Sequence, residues 1–292
     1  KAKAKLDKYL LEPYMASKVQ WCVVAIPNAT WAKKVFPNLS KSKAIDALWD
    51  AILKANHVTL TNDPVKEWVE HDNTLHQKAA LLNEYNFKYL KYKSKNGTDF
   101  KIGLVKNHIW AGGSEGNVDD IPEFNPNMPT EEVFTMPHNK QVDGIVYATK
   151  PLTYQGNLIE DFYLEFKDGE VINYDAKKGK DALKALLETD SGSKRLGEVA
   201  LVPYHSPISQ SNILFYNTLF DENASCHLAL GNAYSMNIKG GVDAKEEDLM
   251  KQGYNKSIVH VDFMIGNSDL SIIGVKENNE EVVVFENGDF KI

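Results

Sequence analysis

Four short stretches from residue 129 onward in this 292-residue chain set ionisable side chains among apolar ones. Burying such a charge without a partner is costly, so each stretch asks for one. In Ile258-Val-His-Val-Asp-Phe-Met-Ile265, strand alternation puts His260 and Asp262 on one face and Val259, Val261 and Phe263 on the other. An imidazole and a carboxylate two residues apart can reach one metal ion, or pair with each other on a half-exposed strand. Leu196-Gly-Glu-Val-Ala-Leu-Val202 carries Glu198 in an apolar run. That carboxylate needs a cation, a metal or a proton, unless it stands exposed at a strand start beside Gly197. Pro129-Thr-Glu-Glu-Val-Phe134 sends Glu131 and Glu132 to opposite faces if extended, so only one can serve a buried site. Taken alone, that pair reads as solvated surface.

The fourth stretch is Asp221-Glu-Asn-Ala-Ser-Cys-His227. Asp221 or Asn223 can cap a helix over residues 224–230. On a continuous helix Glu222 and His227 would lie about 140° apart, so both face one ion only if Glu222 stands in the preceding loop. Tyr234 follows His227 by two turns and shares its face if helicity persists past Gly231. The competing reading is a capped core helix with a satisfied histidine. Taken together, two histidines and three or four carboxylates suit a divalent ion of the zinc, cobalt or manganese kind in hydrolytic use. The chain has no Cys-x-x-Cys, His-Glu-x-x-His, Gly-x-Ser-x-Gly or phosphate-loop signature.

The elements that must position these groups follow from periodicity. The first third reads as α/β: a helix on Leu6, Leu10, Leu11, Tyr14 and Met15, then an apolar run over residues 19–26 that predicts a buried strand. Helices are expected over residues 30–35 and 42–55, and from Asp63-Pro64 to about Tyr85; a strand follows at Phe100, Ile102 and Leu104. Residues 112–128 are rich in Gly, Asn, Pro and acidic groups and read as a surface connection. The expectation is therefore an α/β N-terminal part (1–115) followed by an α+β C-terminal catalytic domain (116–292) with a mixed or antiparallel sheet. In the latter, strands are expected at 142–149, 158–167, 171–174, 196–202, 259–265, 270–275 and 282–286, with a helix at 180–188. Asp168-Gly169 and Asn287-Gly288 supply turns.

Composition narrows the function further. With 33 basic and 40 acidic side chains the formal charge is −7, which disfavours nucleic acid as partner. No apolar run approaches the roughly 20 residues of a membrane span. Two cysteines, Cys22 and Cys226, make no disulfide framework, and a cytoplasmic, reducing compartment is expected. The chain opens at Lys1 directly into a helical pattern, as though part-way through a longer product.

Read together, Asn127-Met-Pro-Thr-Glu-Glu-Val-Phe-Thr135, Arg195-Leu-Gly-Glu-Val-Ala-Leu-Val202, Phe215-Tyr-Asn-Thr-Leu-Phe-Asp-Glu-Asn-Ala-Ser-Cys-His227 and His260-Val-Asp-Phe-Met-Ile-Gly266 resemble the aminopeptidase T / aminopeptidase S / PepS family of metalloaminopeptidases. Weaker likeness at Trp31-Ala-Lys-Lys-Val-Phe36 and residues 98–110 extends the match over nearly the whole chain, beginning downstream of that family's first N-terminal segment. The resemblance implies two divalent ions, with Glu132 a ligand, Glu198 bridging, and His227, His260 and Asp262 completing the shells. Glu222 would be a further ligand or the general base, Tyr234 would sit at the metals or donate to the oxyanion, and Glu131 would face away. His138 stands where relatives often carry an acidic residue. The implied activity is release of N-terminal residues from peptides with a free N-terminus by a metal-activated water, in a homodimer. The alternatives are an inactive metal-binding or dimerising fragment and a non-peptidase metal hydrolase.

Overall fold

A computed structural model describes residues 19–116 and 122–292. The helix expected around Leu6–Met15 lies outside the described residues. Three helices open the described chain: α1 (Ala29–Val35), α2 (Lys41–Ala55) and α3 (Pro64–Tyr85). Two of them, α1 and α3, start where the sequence supplies a side-chain cap. Asn28 accepts from the Thr30 and Trp31 amides, and Asp63 accepts from the Val65 and Lys66 amides with Pro64 at the first helical position. The apolar stripe of α2 (Ala44, Leu48, Ile52) is buried as its spacing predicts.

Thirteen strands follow among the described residues, in two sheets whose strand pairs are all antiparallel. The larger sheet is formed by β1 (Tyr89–Lys93), β2 (Asp99–Leu104), β4 (Pro137–Tyr147), β5 (Leu152–Tyr154), β6 (Asn157–Lys167), β7 (Glu170–Lys178), β11 (Ser271–Val275), β12 (Glu281–Glu286) and β13 (Asp289–Phe290). Its order is β13-β12-β11-β1-β2-β4-β6-β5, with β7 beside β6. The sheet thus draws strands from both sides of residue 116. The turn between β6 and β7 holds Asp168 and Gly169 at φ 51° and 79°, the left-handed pair that Asp-Gly accommodates at a two-residue hairpin.

The smaller sheet has the order β10-β9-β8-β3 and uses β3 (Val133–Thr135), β8 (Leu196–Leu201), β9 (His227–Gly231) and β10 (His260–Met264). The main core includes residues of both sheets, α3 and α4 (Lys180–Leu187), among them Leu82, Phe162, Leu186, Leu228 and Phe263. A separate cluster packs Ala32, Leu48 and Ile52 of the first helices against Phe215, Leu219 and Phe220. Those aromatic residues lie just ahead of Glu222, so the N-terminal helices support one wall of the site.

Two expected elements differ. Residues 19–26 do not form a buried strand: Val24 and Ile26 are 58% and 70% exposed. An apolar run signals surface in need of cover but names no partner. Among the described residues this run makes one parallel bridge, Val23 to Asn127, through Val23 N–H to Pro126 O (2.7 Å) and Met128 N–H to Val23 O (3.0 Å). The helix expected over 224–230 is instead a short 3₁₀ turn (Glu222–Ala224) followed by β9. All five residues of β9 are buried as the central partner of β8 and β10. A short apolar run covered on both faces looks alike as helix or strand, and the neighbouring edges decide.

Candidate metal centre

The smaller sheet presents its chemistry on one face. Across β8, β9 and β10, Glu198 and Asp262 both stand opposite Ala229, while His260 pairs with Gly231 and His227 with Ala200. Side chains at 227, 229 and 231 share a face, so the two acids and two histidines converge around a residue with only a methyl group. Glu132 stands one residue before β3, at the far edge. Glu222 enters from the 3₁₀ turn and Tyr234 from the segment after β9. All seven line one cavity of about 220 Å³, together with Trp21, Thr130, Phe134 and Met236.

The distances are short. His227 Nε2 lies 3.0 Å from Glu132 Oε2 and 3.5 Å from Glu198 Oε1. His260 Nε2 lies 3.5 Å from Glu198 Oε2 and 3.3 Å from Asp262 Oδ1. Donor atoms of Glu132, Glu198 and His227 all fall within 4.8 Å of one another, and so do those of Glu198, His260 and Asp262. Glu198 belongs to both groups. Glu222 belongs to neither, although it borders the same cavity.

The donors fit a metal. His260 Nδ1–H donates to Asn232 O (2.7 Å) and His227 Nδ1–H to Ser225 O (3.2 Å), which leaves each Nε2 facing the carboxylates as a ligand nitrogen. Glu132 Oε2 is buried and accepts no hydrogen bond, despite the nearness of His227 Nε2. Two atoms that approach closely without hydrogen-bond direction relate as ligands of a common ion do. Imidazole nitrogen with carboxylate oxygen is the donor mixture of zinc, cobalt and manganese sites.

Electrostatics point the same way. Burial, with Asp262 and Glu132 nearby, pushes Glu222 well above the usual carboxyl range. Burial raises Glu198 too, and the neighbouring imidazoles only partly offset it. Burial alone would lower His227, but the adjacent Glu132 and Glu198 carboxylates outweigh it and hold the imidazole well above its ordinary value. His260 is carried to about 10, because Asp262 and Glu198 overcome the same burial. Four carboxylates thus share two imidazoles, a balance that cations would complete. Tyr234 is held far above the usual phenol range by burial and by Glu198 and Asp262, so it stays a hydroxyl donor. The thiol of Cys226, next to His227, is buried and pushed up to about 12, which removes it as a nucleophile.

Every residue singled out from sequence for the site lines this cavity, but Glu131 departs from expectation. It is 4% exposed, not solvated, and its Oε1 lies 2.8 Å from His57 Nε2. That contact outweighs burial and raises the His57 imidazole above its ordinary value. Strand alternation did send Glu131 away from Glu132, but the face it reaches is packed against the helices. His138 is absent from the cavity lining; its ring lies against Gly253 and its Nδ1 accepts from Lys140 N–H. Trp21 and Met236 line the cavity with no motif to announce them.

Sequence comparison agrees with this geometry. Residues 1–290 match the family described as Thermophilic metalloprotease (M29). The chain is 53% identical to Aminopeptidase AmpS of Bacillus subtilis over 275 residues, covering 94% of this chain and 66% of that protein. It is 40% identical to Aminopeptidase T of Thermus thermophilus, over 99% of this chain and 69% of the relative. The solved structure of wild-type AmpT from Thermus thermophilus superposes with a TM-score of 0.88 at 39% identity, covering 96% of this chain and 67% of that one. The chain therefore spans about two thirds of the length of these relatives, and it belongs to the thermophilic metalloprotease family M29.

Proposed function

We propose that this chain carries the site of a metal-dependent aminopeptidase, which releases N-terminal residues from peptides. The observation that carries the reading is the pair of ligand groups sharing Glu198 on one cavity wall. Glu132, Glu198 and His227 would hold one divalent ion, and Glu198, His260 and Asp262 a second. Zinc, cobalt or manganese suits these donors. When bound, the ions supply Lewis acidity and bring the ionisation of water towards neutral pH. The relatives' names, aminopeptidases all, support peptides with a free N-terminus as substrates.

Glu222 borders the cavity outside both ligand groups, which favours the base over the ligand role. Its carboxylate accepts a proton from the attacking water and returns it to the leaving amine. The Tyr234 hydroxyl, kept protonated, donates to the oxyanion that develops on the scissile carbonyl. Trp21, Phe134 and Met236 supply apolar walls beside these groups, suited to the substrate's side chain.

Metal analysis combined with hydrolysis of leucyl-p-nitroanilide tests the reading. The wild-type protein should hold two ions and cleave this substrate but not its N-acetylated form. Glu222→Gln should keep both ions and lose kcat by about 10²- to 10⁴-fold, the range for removing a general base. Metal loss in that variant would make Glu222 a ligand instead. Equal cleavage of the acetylated substrate would remove the exopeptidase reading, and turnover confined to phosphate esters would indicate a different hydrolase.

A further inference from the structure

Of the five residues in the two ligand groups, Glu132 alone lies outside a strand. It precedes β3, whose ladder begins at Val133. The two residues before it are instead gripped from outside the sheet. The Thr130 carbonyl accepts from His71 Nε2–H of α3 at 2.7 Å. The Glu131 carboxylate meets His57 Nε2 at 2.8 Å through Oε1, and His71 Nε2 lies 4.0 Å from Oε2. The Glu131 amide donates to Asn223 Oδ1 at 2.7 Å. Asn223 is fully buried, donates in turn to Leu219 O at 3.0 Å, and belongs to the turn that carries Glu222.

The grip itself is packed ring against ring. The His57 and His71 rings lie 4.3 Å apart at 33°, with Trp68 against both. His57 sits just past the end of α2 at φ 57°, and its carbonyl is tied by Asn62 Nδ2–H at 2.7 Å. Both imidazoles therefore come from fixed positions at the junction of α2 and α3. His71 spends its Nε2 proton on a carbonyl, so that nitrogen has no lone pair to offer a metal.

We propose that His57, His71 and Glu131 form a positioning clamp, by which the helical part of the chain sets Glu132 at the metal centre. The proposal rests on Glu132 being a ligand, as argued above. Glu131 takes no part in the chemistry; its carboxylate faces the helices while its neighbour's faces the cavity. The clamp fixes three successive positions, so relaxing it moves a ligand without removing one. Groups that orient metal ligands typically govern affinity about 10- to 100-fold when lost.

Three variants test the clamp: Glu131→Gln, which keeps shape and loses charge, His57→Ala at a partly exposed position, and His57→Arg, which returns a cationic donor. Zinc affinity is read by competition against a chelator, folding by thermal melting, and turnover on leucyl-p-nitroanilide. Glu131→Gln and His57→Ala should melt cooperatively, bind one of two zinc ions about tenfold more weakly, and lose kcat about tenfold with KM nearly unchanged. His57→Arg should recover most of both losses. Unchanged zinc affinity in Glu131→Gln, or no recovery in His57→Arg relative to His57→Ala, overturns the clamp. A third zinc in the wild type that disappears in His57→Ala overturns it in favour of a separate metal site. Glu132→Gln separates the two ideas. Full zinc affinity there removes the ligand reading and the clamp's purpose with it, whereas lost affinity there beside a normal Glu131→Gln removes the clamp alone.

Discussion

At the scale of single residues, Glu198 occupies the position on which the proposed two-ion centre turns. It is 4% exposed, lies within reach of both histidines, and is the member common to the two ligand groups. Ala229 opposite it keeps the middle of the sheet face open. If one carboxylate serves two ions, its loss should be felt at both. Glu198→Gln is therefore expected to lower metal content from two ions to one or none, a larger loss than in Glu132→Gln, as measured by atomic emission on the two proteins side by side. Equal content in Glu198→Gln and wild type would leave an ordinary buried carboxylate there and no shared ligand.

At the scale of elements, the proposed centre depends on β10 being delivered in register beside β9, and Asp190 is one of the groups that hold the segment leading into it. Asp190, in the loop between α4 and β8, accepts through Oδ1 from the Gly192 and Ser193 amides (both 2.9 Å). Through Oδ2 it accepts from the Ile258 amide at 2.8 Å, and the Ser257 hydroxyl donates to both oxygens. It thus staples that loop to the residues leading into His260. Burial raises the Asp190 carboxyl, but these donors outweigh it and hold it below its ordinary value. A depressed folded-state pKa contributes stability above the unfolded value, near 3.9, and that contribution is lost as pH falls through the folded value. Asp190→Asn, which gives up the charge and one acceptor, should melt below the wild type at pH 7. The gap should narrow as pH drops below about 4, where the unfolded wild-type chain takes up a proton that the folded carboxylate binds only at lower pH. A gap that stays constant from pH 7 to pH 3 would show that the staple does not depend on charge.

At the scale of the whole molecule, buried like charges oppose folding unless cations join them. Glu132, Glu198, Glu222 and Asp262 crowd one cavity with two imidazoles as internal compensation. Ions that bind only the folded chain stabilise it by mass action, about 4 kcal/mol at a thousandfold excess over Kd. For a chain of this size that corresponds to a melting temperature on the order of ten degrees higher with metal. Chelation followed by scanning calorimetry should lower the transition by that order, and restored zinc should return it. Melting indifferent to chelator would mean that the cavity's charges are balanced without metal. None of the helices of the described residues is long and apolar enough to cross a membrane.

What the chain's own sequence determined is local. Caps at Asn28 and Asp63, the stripe of α2, the Asp168-Gly169 hairpin and the pairing of His260 with Asp262 on one strand face all follow from signals within a few residues. Glu132, Glu198, Glu222, His227 and Tyr234 are candidates through residue types in apolar company, and their proposed roles come from a resemblance that spans the chain. The tertiary structure decided what depends on distant partners. The apolar run over 227–231 became a strand because β8 and β10 flank it, whereas the run over 19–26 makes one bridge, to Asn127, among the described residues and stays largely exposed. Glu131 reads as surface in its own tetrapeptide, yet it is buried by His57, 74 positions earlier, and tied by Asn223, 92 positions later. Periodicity encodes which face of an element is apolar; it carries no record of which element will cover that face, because that choice is made only when the whole chain packs.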